Sequence, residues 1–267
     1  NIEHNHLHHY YLGEKEDPDL VEENFYLRRK KMPYFIKKIL IITIMFIWKW
    51  FYYAPNTYKV YCLNKLKNND KKTYDSLPNS LLIEPYTPIG YITHPYKWLR
   101  GFYTNVMLPY FAYMFIVIPF IWYMISSYMA WDEPIMANVF LNIILAELLT
   151  NLHSFIIIVP NHSGDDVYRF NTHVQPRTGE FYMRQIISSV NYTSGNDMID
   201  FLHGWLNYQI EHHIFPDLSM LQYRIAQPKI KKLCRKYNIP YIQQNVFTRL
   251  KKTMDIMTGE KSMKYLE

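Results

Sequence analysis

No charged residue appears between Arg100 and Asp132. The core of that stretch, VMLPYFAYMFIVIPFIWYMISSYMAW (106–131), is long enough as a helix to cross a hydrocarbon layer of about 30 Å. A second stretch, IMANVFLNIILAELLTNLHSFIIIVP (135–160), is again of spanning length, with Glu147 as its only formally charged residue. AWDEP separates them, so the pair predicts a helical hairpin whose terminal Trp and Tyr suit the headgroup level. Glu147 belongs to a stripe with Thr150, Asn151 and Ser154 on one helix face, pointing to a bundle or cavity rather than to lipid. A functional role and a helix-packing role are both open for it.

A third apolar stretch, MPYFIKKILIITIMFIWKWFYY (32–53), is interrupted by Lys37, Lys38 and Lys49 and is expected to be interfacial. The 54–99 segment has Pro55, Pro78, Pro85, Pro88 and Pro95 and no long apolar period, so it is expected to be a cytosolic connecting loop. With 49% hydrophobic and 17% aromatic residues and only 8 Gly, the chain is neither disordered nor a Gly-rich β protein. The expectation is an all-α integral membrane protein: a hairpin of transmembrane helices under a cytosolic helical cap. No repeat is visible, and 1–267 reads as the C-terminal portion of one membrane domain, because a functional-looking stretch begins at residue 3 without an initiator Met.

Most histidines gather in two short stretches, EHNHLHHYYLGEKEDPDL (3–20) and HGWLNYQIEHHIFPDLS (203–219). Cys62 and Cys234 lie in unrelated surroundings, which leaves no disulfide framework and no CxxC, so any metal must be held by N and O ligands. Neutral imidazole suits Fe, Zn, Cu or Ni, and the scarcity of Cys argues against structural zinc. On a helix, Gln209, His212 and His213 converge on one face, and Pro216 ends that helix. His4 and His8 are expected to share a face, with His9 turned about 140° from His4 by the helical step, so that one helix could feed two ions. His162 is a third candidate, where the second span leaves the membrane. His6, His94, His153, His173 and His203 are expected to be structural.

If both His-rich stretches serve one centre, an even number of spans must separate them, which two spans satisfy. Arg28-Arg29-Lys30-Lys31, NKLKNNDKK (64–72) and KIKKLCRK (229–236) then fall on the His-bearing face, making it cytosolic. The excess of 29 Lys+Arg over 23 Asp+Glu, +6, suits an anionic membrane surface and is modest for a nucleic-acid binder. The sequons at Asn161 and Asn191 are accordingly expected to stay unmodified.

LNYQIEHHIFPDLS resembles the third histidine box of the front-end membrane fatty acid desaturases, in which Gln replaces the first His of HxxHH. EHNHLHH resembles the second box in an HxxxHH variant, and FYMRQIISSVNYTSG (181–195) and LCRKYNIPY (233–241) are similar to family segments. The resemblance implies a di-iron, O2-dependent enzyme of the endoplasmic reticulum that places a cis double bond in a fatty acyl chain, as acyl-lipid or acyl-CoA, with electrons from cytochrome b5 and its reductase, or from ferredoxin. It implies His4, His8 and His9 as second-box ligands, His212 and His213 as third-box ligands, and His162 as the extra ligand after the last span. Gln209 takes the variant box position and counts with the metal-site residues; Glu211 carries no ligand role. Front-end (Δ4, Δ5, Δ6) and sphingolipid regiochemistry both stay open. The family's first box, HxxxH, and a cytochrome b5 domain with HPGG belong upstream of Asn1, so the chain is expected to be incomplete. The alternatives are a di-iron acyl or sphingolipid hydroxylase and a truncated, non-catalytic paralogue that partners a complete desaturase.

Overall fold

In the computed structural model the described residues are 3–78, 81, 86–92, 94–131 and 134–266. Pro85, Asp132, Glu133 and the side chain of His6 lie outside them, and with them the centre of the expected AWDEP turn. The chain forms two compact units, residues 1–42 with 154–267, and residues 43–153.

The 43–153 unit holds most of the apolar sequence. Two helical segments, Lys97–Tyr128 and Ile135–His162, are long and apolar enough to cross a membrane, the second running past the unit boundary. The first starts earlier than expected, because Lys97 and Arg100 lie on its leading turns. It alternates α-helix with π-helical turns at Tyr103–Met107 and Tyr113–Val117. Each π turn directly precedes an α segment with Pro109 or Pro119 in its first turn, where the missing N–H disrupts regular α-bonding and a wider turn recovers the carbonyls. Ile116, Phe120 and Met124 are exposed along it, a surface compatible with a membrane span. The second segment is helix α3 (Ile135–Ile158), in which Phe140 packs edge-on against Phe115 and Glu147 accepts a hydrogen bond from Tyr110 Oη.

The 54–99 stretch is not the expected loop. Helix α2 (Ala54–Asn69) occupies its first third, and a short helix, Lys71–Asp75, capped by Asp70, follows. Tyr58, Cys62, Leu63, Leu77, Leu81, Tyr91, Leu99 and Phe102 close a core of their own. Pro55 sits in the first turn of α2, where a missing N–H is harmless, so the proline that argued for a loop marks a helix start. Tyr91 Oη donates to Pro55 O at 2.6 Å and Tyr86 N donates to Asn56 Oδ1 at 2.8 Å, tying the segment around Tyr86 and Tyr91 back onto the helix.

The other unit carries both histidine-rich stretches and His162. Helix α1 (Tyr34–Phe46) begins in it, and Lys37 Nζ donates to Thr258 O at 2.8 Å. Five helices follow α3: α4 (Gly179–Ile187), α5 (Asp197–Leu202), α6 (Gln209–Ile214), α7 (Met220–Lys236) and α8 (Val246–Thr258). Side chains set their ends: Thr178 and Asn196 accept from Phe181 N and Ile199 N, Ser219 and Gln222 form a reciprocal capping box, and Asn245 accepts from Phe247 N. The expectation of an all-α chain misses two short parallel strand pairs, β1 (Tyr168–Phe170) with β4 (Lys264–Leu266) and β2 (Asn191–Tyr192) with β3 (Gln243–Gln244). Strands of two or three residues carry no readable alternation. Between these elements Phe170, Ile186, Ile187, Ile210, Ile230 and Cys234 pack as one core, and Leu20, Val167, Val190, Ile256 and Met263 as another.

Candidate metal centre

The HNHLHH sequence folds as a π-helix, Glu3–His8, closed by His9 N donating to His4 O at 3.1 Å, five residues apart. This wider turn corrects the expected pairing. His9 comes back over His4, with ring centroids 4.6 Å apart, while His8 lies 5.5 Å from His4 and faces elsewhere. Helix α6 divides its pair as well, so Gln209, His212 and His213 do not all serve one point. The donor atoms of His4, His9 and His212 lie within 4.8 Å of one another, as do those of His8, His162 and His213. The two triads adjoin: the His9 and His213 rings are 4.6 Å apart, and those of His212 and His213 5.4 Å.

In the second triad His162 Nε2 and His213 Nε2 stand 3.2 Å apart, with Gln209 Nε2 3.0 Å from the former and 3.2 Å from the latter. Two imidazole nitrogens bound to one ion at ~2.1 Å would be separated by about 3.0–3.4 Å, so the spacing is that of ligands on a shared cation. The outer nitrogens are held by protein. His8 Nδ1 donates to Asp17 Oδ1 at 2.8 Å, His162 Nδ1 to Ser188 O at 3.2 Å, His213 Nδ1 to Gln185 Oε1 at 3.2 Å, and His212 Nδ1 to Tyr223 Oη at 3.1 Å. Such partners fix tautomer and ring orientation and leave each Nε2 lone pair for a metal. Gln185 joins the two chain ends, since its Nε2 also donates to His9 O at 3.2 Å. Both ring nitrogens of His9 are buried without a hydrogen-bond partner among the described residues, a cost that a bound cation would remove. The donor set, imidazole with no thiolate, therefore fits a transition-metal ion at each triad.

Charge follows burial. Desolvation, then the imidazoles of His212, His8 and His4, lower the pKa of His9 to about 2. Desolvation, then His4 and His8, lower His212 to about 4, and His213 is pushed well below its ordinary value by burial and the neighbouring rings. These three are neutral and ligand-competent at physiological pH. His8 differs: burial opposes its charge, but the Asp17 and Asp19 carboxylates raise it to about 9. Asp17, His8 and Asp19 also cluster, yet Asp17 is spent on the outer side of His8 and on Gly13 N at 2.9 Å. Gly13 has φ +73°, and a Cβ there would press on Ser188 Oγ and Tyr168 O, so glycine is required where this turn lies against the chain.

All seven sequence-predicted residues thus meet in one place. Asp17, Gln185 and Tyr223 were missed; only the acidic DPD following the histidines hinted at the first. Glu211 points away from the rings and accepts from Asn191 Nδ2 at 2.7 Å and Tyr241 Oη at 2.9 Å, anchoring α6. His94 bonds to Tyr86 Oη, His173 Nδ1 donates to Glu14 Oε2, and His203 Nδ1 donates to Ile199 O, all outside the triads.

The family model described as fatty acid desaturase matches residues 1–245. The chain belongs to the fatty acid desaturase family. This desaturase-family chain is 33% identical over 91 residues to the Delta(6)-fatty-acid desaturase fat-3 of Caenorhabditis elegans, covering 34% of the chain and 20% of that protein. It is 28% identical over 112 residues to the NADPH-dependent stearoyl-CoA 9-desaturase of Mycobacterium tuberculosis, 41% of the chain and 26% of the relative. It is 33% identical over 87 residues to the Delta(8)-fatty-acid desaturase 1 of Arabidopsis thaliana, 33% and 18% respectively. The matches thus span about a quarter or less of these relatives' length. No solved structure matches.

Proposed function

We propose that the chain is the C-terminal, metal-binding portion of an O2-dependent fatty acyl desaturase. The single observation that carries the reading is the gathering of imidazoles from residues 4–9, 162 and 212–213 into two adjoining triads. His4, His9 and His212 would hold one iron, and His8, His162 and His213 the other. Gln209 would offer Oε1 to the second by turning over its amide, exchanging the 3.3 Å bond that Oε1 accepts from Asn161 Nδ2. Iron at these triads would supply the oxidising power for RCH2CH2R + O2 + 2e− + 2H+ → RCH=CHR + 2H2O, chemistry outside the reach of any side-chain acid or base.

The protein's own part is positional. Asp17, Ser188, Gln185 and Tyr223 fix the rings, and burial keeps most of them neutral. Lys97–Tyr128 and Ile135–His162 would form an antiparallel membrane hairpin, consistent with Tyr110 meeting Glu147 and Phe115 meeting Phe140. The triads, which include His162 at the end of Ile135–His162, would face the cytosol in the endoplasmic reticulum, with the substrate's polar head at the interface and its acyl tail within the membrane. Cytochrome b5 with its reductase would be the electron source, and an acyl-lipid or acyl-CoA the substrate.

Iron analysis of the full-length protein tests this. About two irons per chain are expected, with His9→Ala and His213→Ala each removing about one. Zinc alone, or no metal, would overturn the reading. Mass spectrometry of the lipid product should show a loss of two hydrogens; a gain of oxygen would replace desaturation with hydroxylation.

A further inference from the structure

Helix α5 (Asp197–Leu202) turns its apolar face outward and exposes only the first of its two acids, Asp197, at 90% beside Arg224. Asp200 is 0% exposed, while Met198, Phe201 and Leu202, which share its opposite face, are 66%, 73% and 52% exposed. Inside, Asp200 accepts from Asn207 Nδ2 at 2.5 Å, from Tyr208 Oη at 3.0 Å and from the Arg224 guanidinium. A helix beside water puts its acid out and its Phe in; the reverse is stable where the outside is hydrocarbon.

The surroundings of α5 say which hydrocarbon. The segment is fastened to the last turn of the apolar Ile135–His162 helix: Tyr192 Oη donates to Ile156 O at 3.4 Å and the Tyr192 ring packs on His203 at 5.4 Å. Asn161 Nδ2 donates to Leu206 O at 3.3 Å, and Gly204, with φ +57°, lies over Ile157. The turn also presents a half-buried Trp205 under the Arg224 guanidinium, 5.1 Å from the ring, an aromatic–cation pair suited to headgroup depth.

We propose that α5 is a membrane-inserted wedge, with Met198, Phe201 and Leu202 sunk among the acyl chains of the bilayer beside the point where the second span emerges. The buried Asp200 cluster holds the wedge from behind, which tethers the loop leading into α6, and with it Gln209, His212 and His213, to the lipid surface. The proposal rests on the membrane reading of Ile135–His162 and is independent of any metal.

Depth-dependent quenching tests it. In a Cys62→Ala, Cys234→Ala background, single cysteines introduced by Phe201→Cys or Met198→Cys are labelled with an environment-sensitive fluorophore and reconstituted in phosphatidylcholine vesicles. Lipids with a nitroxide high on the acyl chain should remove at least about half the emission at both sites. A label at Lys251→Cys, on the exposed side of α8, should respond only to aqueous iodide. Leu149→Cys, on the exposed face of the span, separates the two readings: lipid quenching there but not at 201 overturns the wedge alone, and none at either overturns the span as well. Shielding of 201 from both lipid and iodide, with cross-linking between chains, would also overturn it by assigning the face to a second copy.

Discussion

His8 Nδ1 lies 2.8 Å from Asp17 Oδ1, and both side chains are almost wholly shut off from water. An imidazole held this way keeps its Nδ1 proton directed at Asp17 and turns Nε2 to the triad, where a bound cation would displace the second proton that Asp17 and Asp19 otherwise stabilise. Asp17→Asn keeps the size and removes the charge, so it is expected to weaken metal binding at the His8, His162 and His213 triad by about 10–100-fold and to leave the His4, His9 and His212 triad loaded. Cobalt(II) titration followed by the visible ligand-field bands reads both sites. An unchanged second equivalent would show that Asp17 orients nothing.

Why Asp17 was not legible beforehand is physical. Residue type marked the histidines, because imidazoles crowded into short stretches have few other uses, and the six expected as ligands met. Their division between the triads was hidden: an ideal α-helix puts His8 over His4, and only the i+5 closure of the π-helix returns His9 instead. Asp17, Gln185 and Tyr223 act through positions that tertiary packing creates, so nothing local announces them. The two long apolar helices were legible because long stretches with no charge in one and only Glu147 in the other leave little alternative in a folded chain. The helix at 54–69 was not, because a proline reads as a breaker until its place in the first turn is known.

Glu147 and Lys49 carry the second prediction. Glu147 takes Lys49 Nζ at 2.7 Å and Trp50 Nε1 at 3.3 Å, along with the Tyr110 hydroxyl, which joins three helical segments inside the 43–153 unit. The arrangement favours the packing role over a chemical one. Glu147→Ala would leave the Lys49 ammonium without its counter-charge, at a cost on the order of 1–3 kcal/mol, and Lys49→Met added to it should recover most of the loss. Thermal unfolding in detergent measures both; a double variant no better than the single would mean that the pair is not the cause.

Acid sensitivity should trace in part to Asp166. Burial pushes its pKa up, but hydrogen bonds from Arg249 Nη1 at 2.6 Å and Lys252 Nζ at 2.5 Å outweigh that and hold it below the ordinary carboxylate value. Arg249 also donates to Ser163 O at 2.5 Å, and a Cβ on Gly164 would overlap its guanidinium, so the pair fixes α8 against the turn after His162. With the folded pKa depressed, the contribution is fully present above about pH 4 and is lost as pH falls through the folded value. Asp166→Asn should therefore lower the melting temperature at pH 7 and flatten its fall below about pH 4. Parallel melting curves for the two proteins at every pH would refute the assignment.

Orientation needs a better reporter than the natural sequons. Asn161 and Asn191 are both buried, and Asn191 Nδ2 is committed to Glu211 and Tyr241, so folding gives each a reason to stay unmodified whichever side it faces. Asn171 is exposed and is followed by Thr172 and His173, so His173→Thr creates an accessible acceptor at the cost of one hydrogen bond to Glu14. Translated into microsomes, this variant should gain no glycosidase-sensitive mass if the triads face the cytosol. A glycan at Asn171 would put the histidines in the lumen, on the wrong side for a cytosolic electron donor.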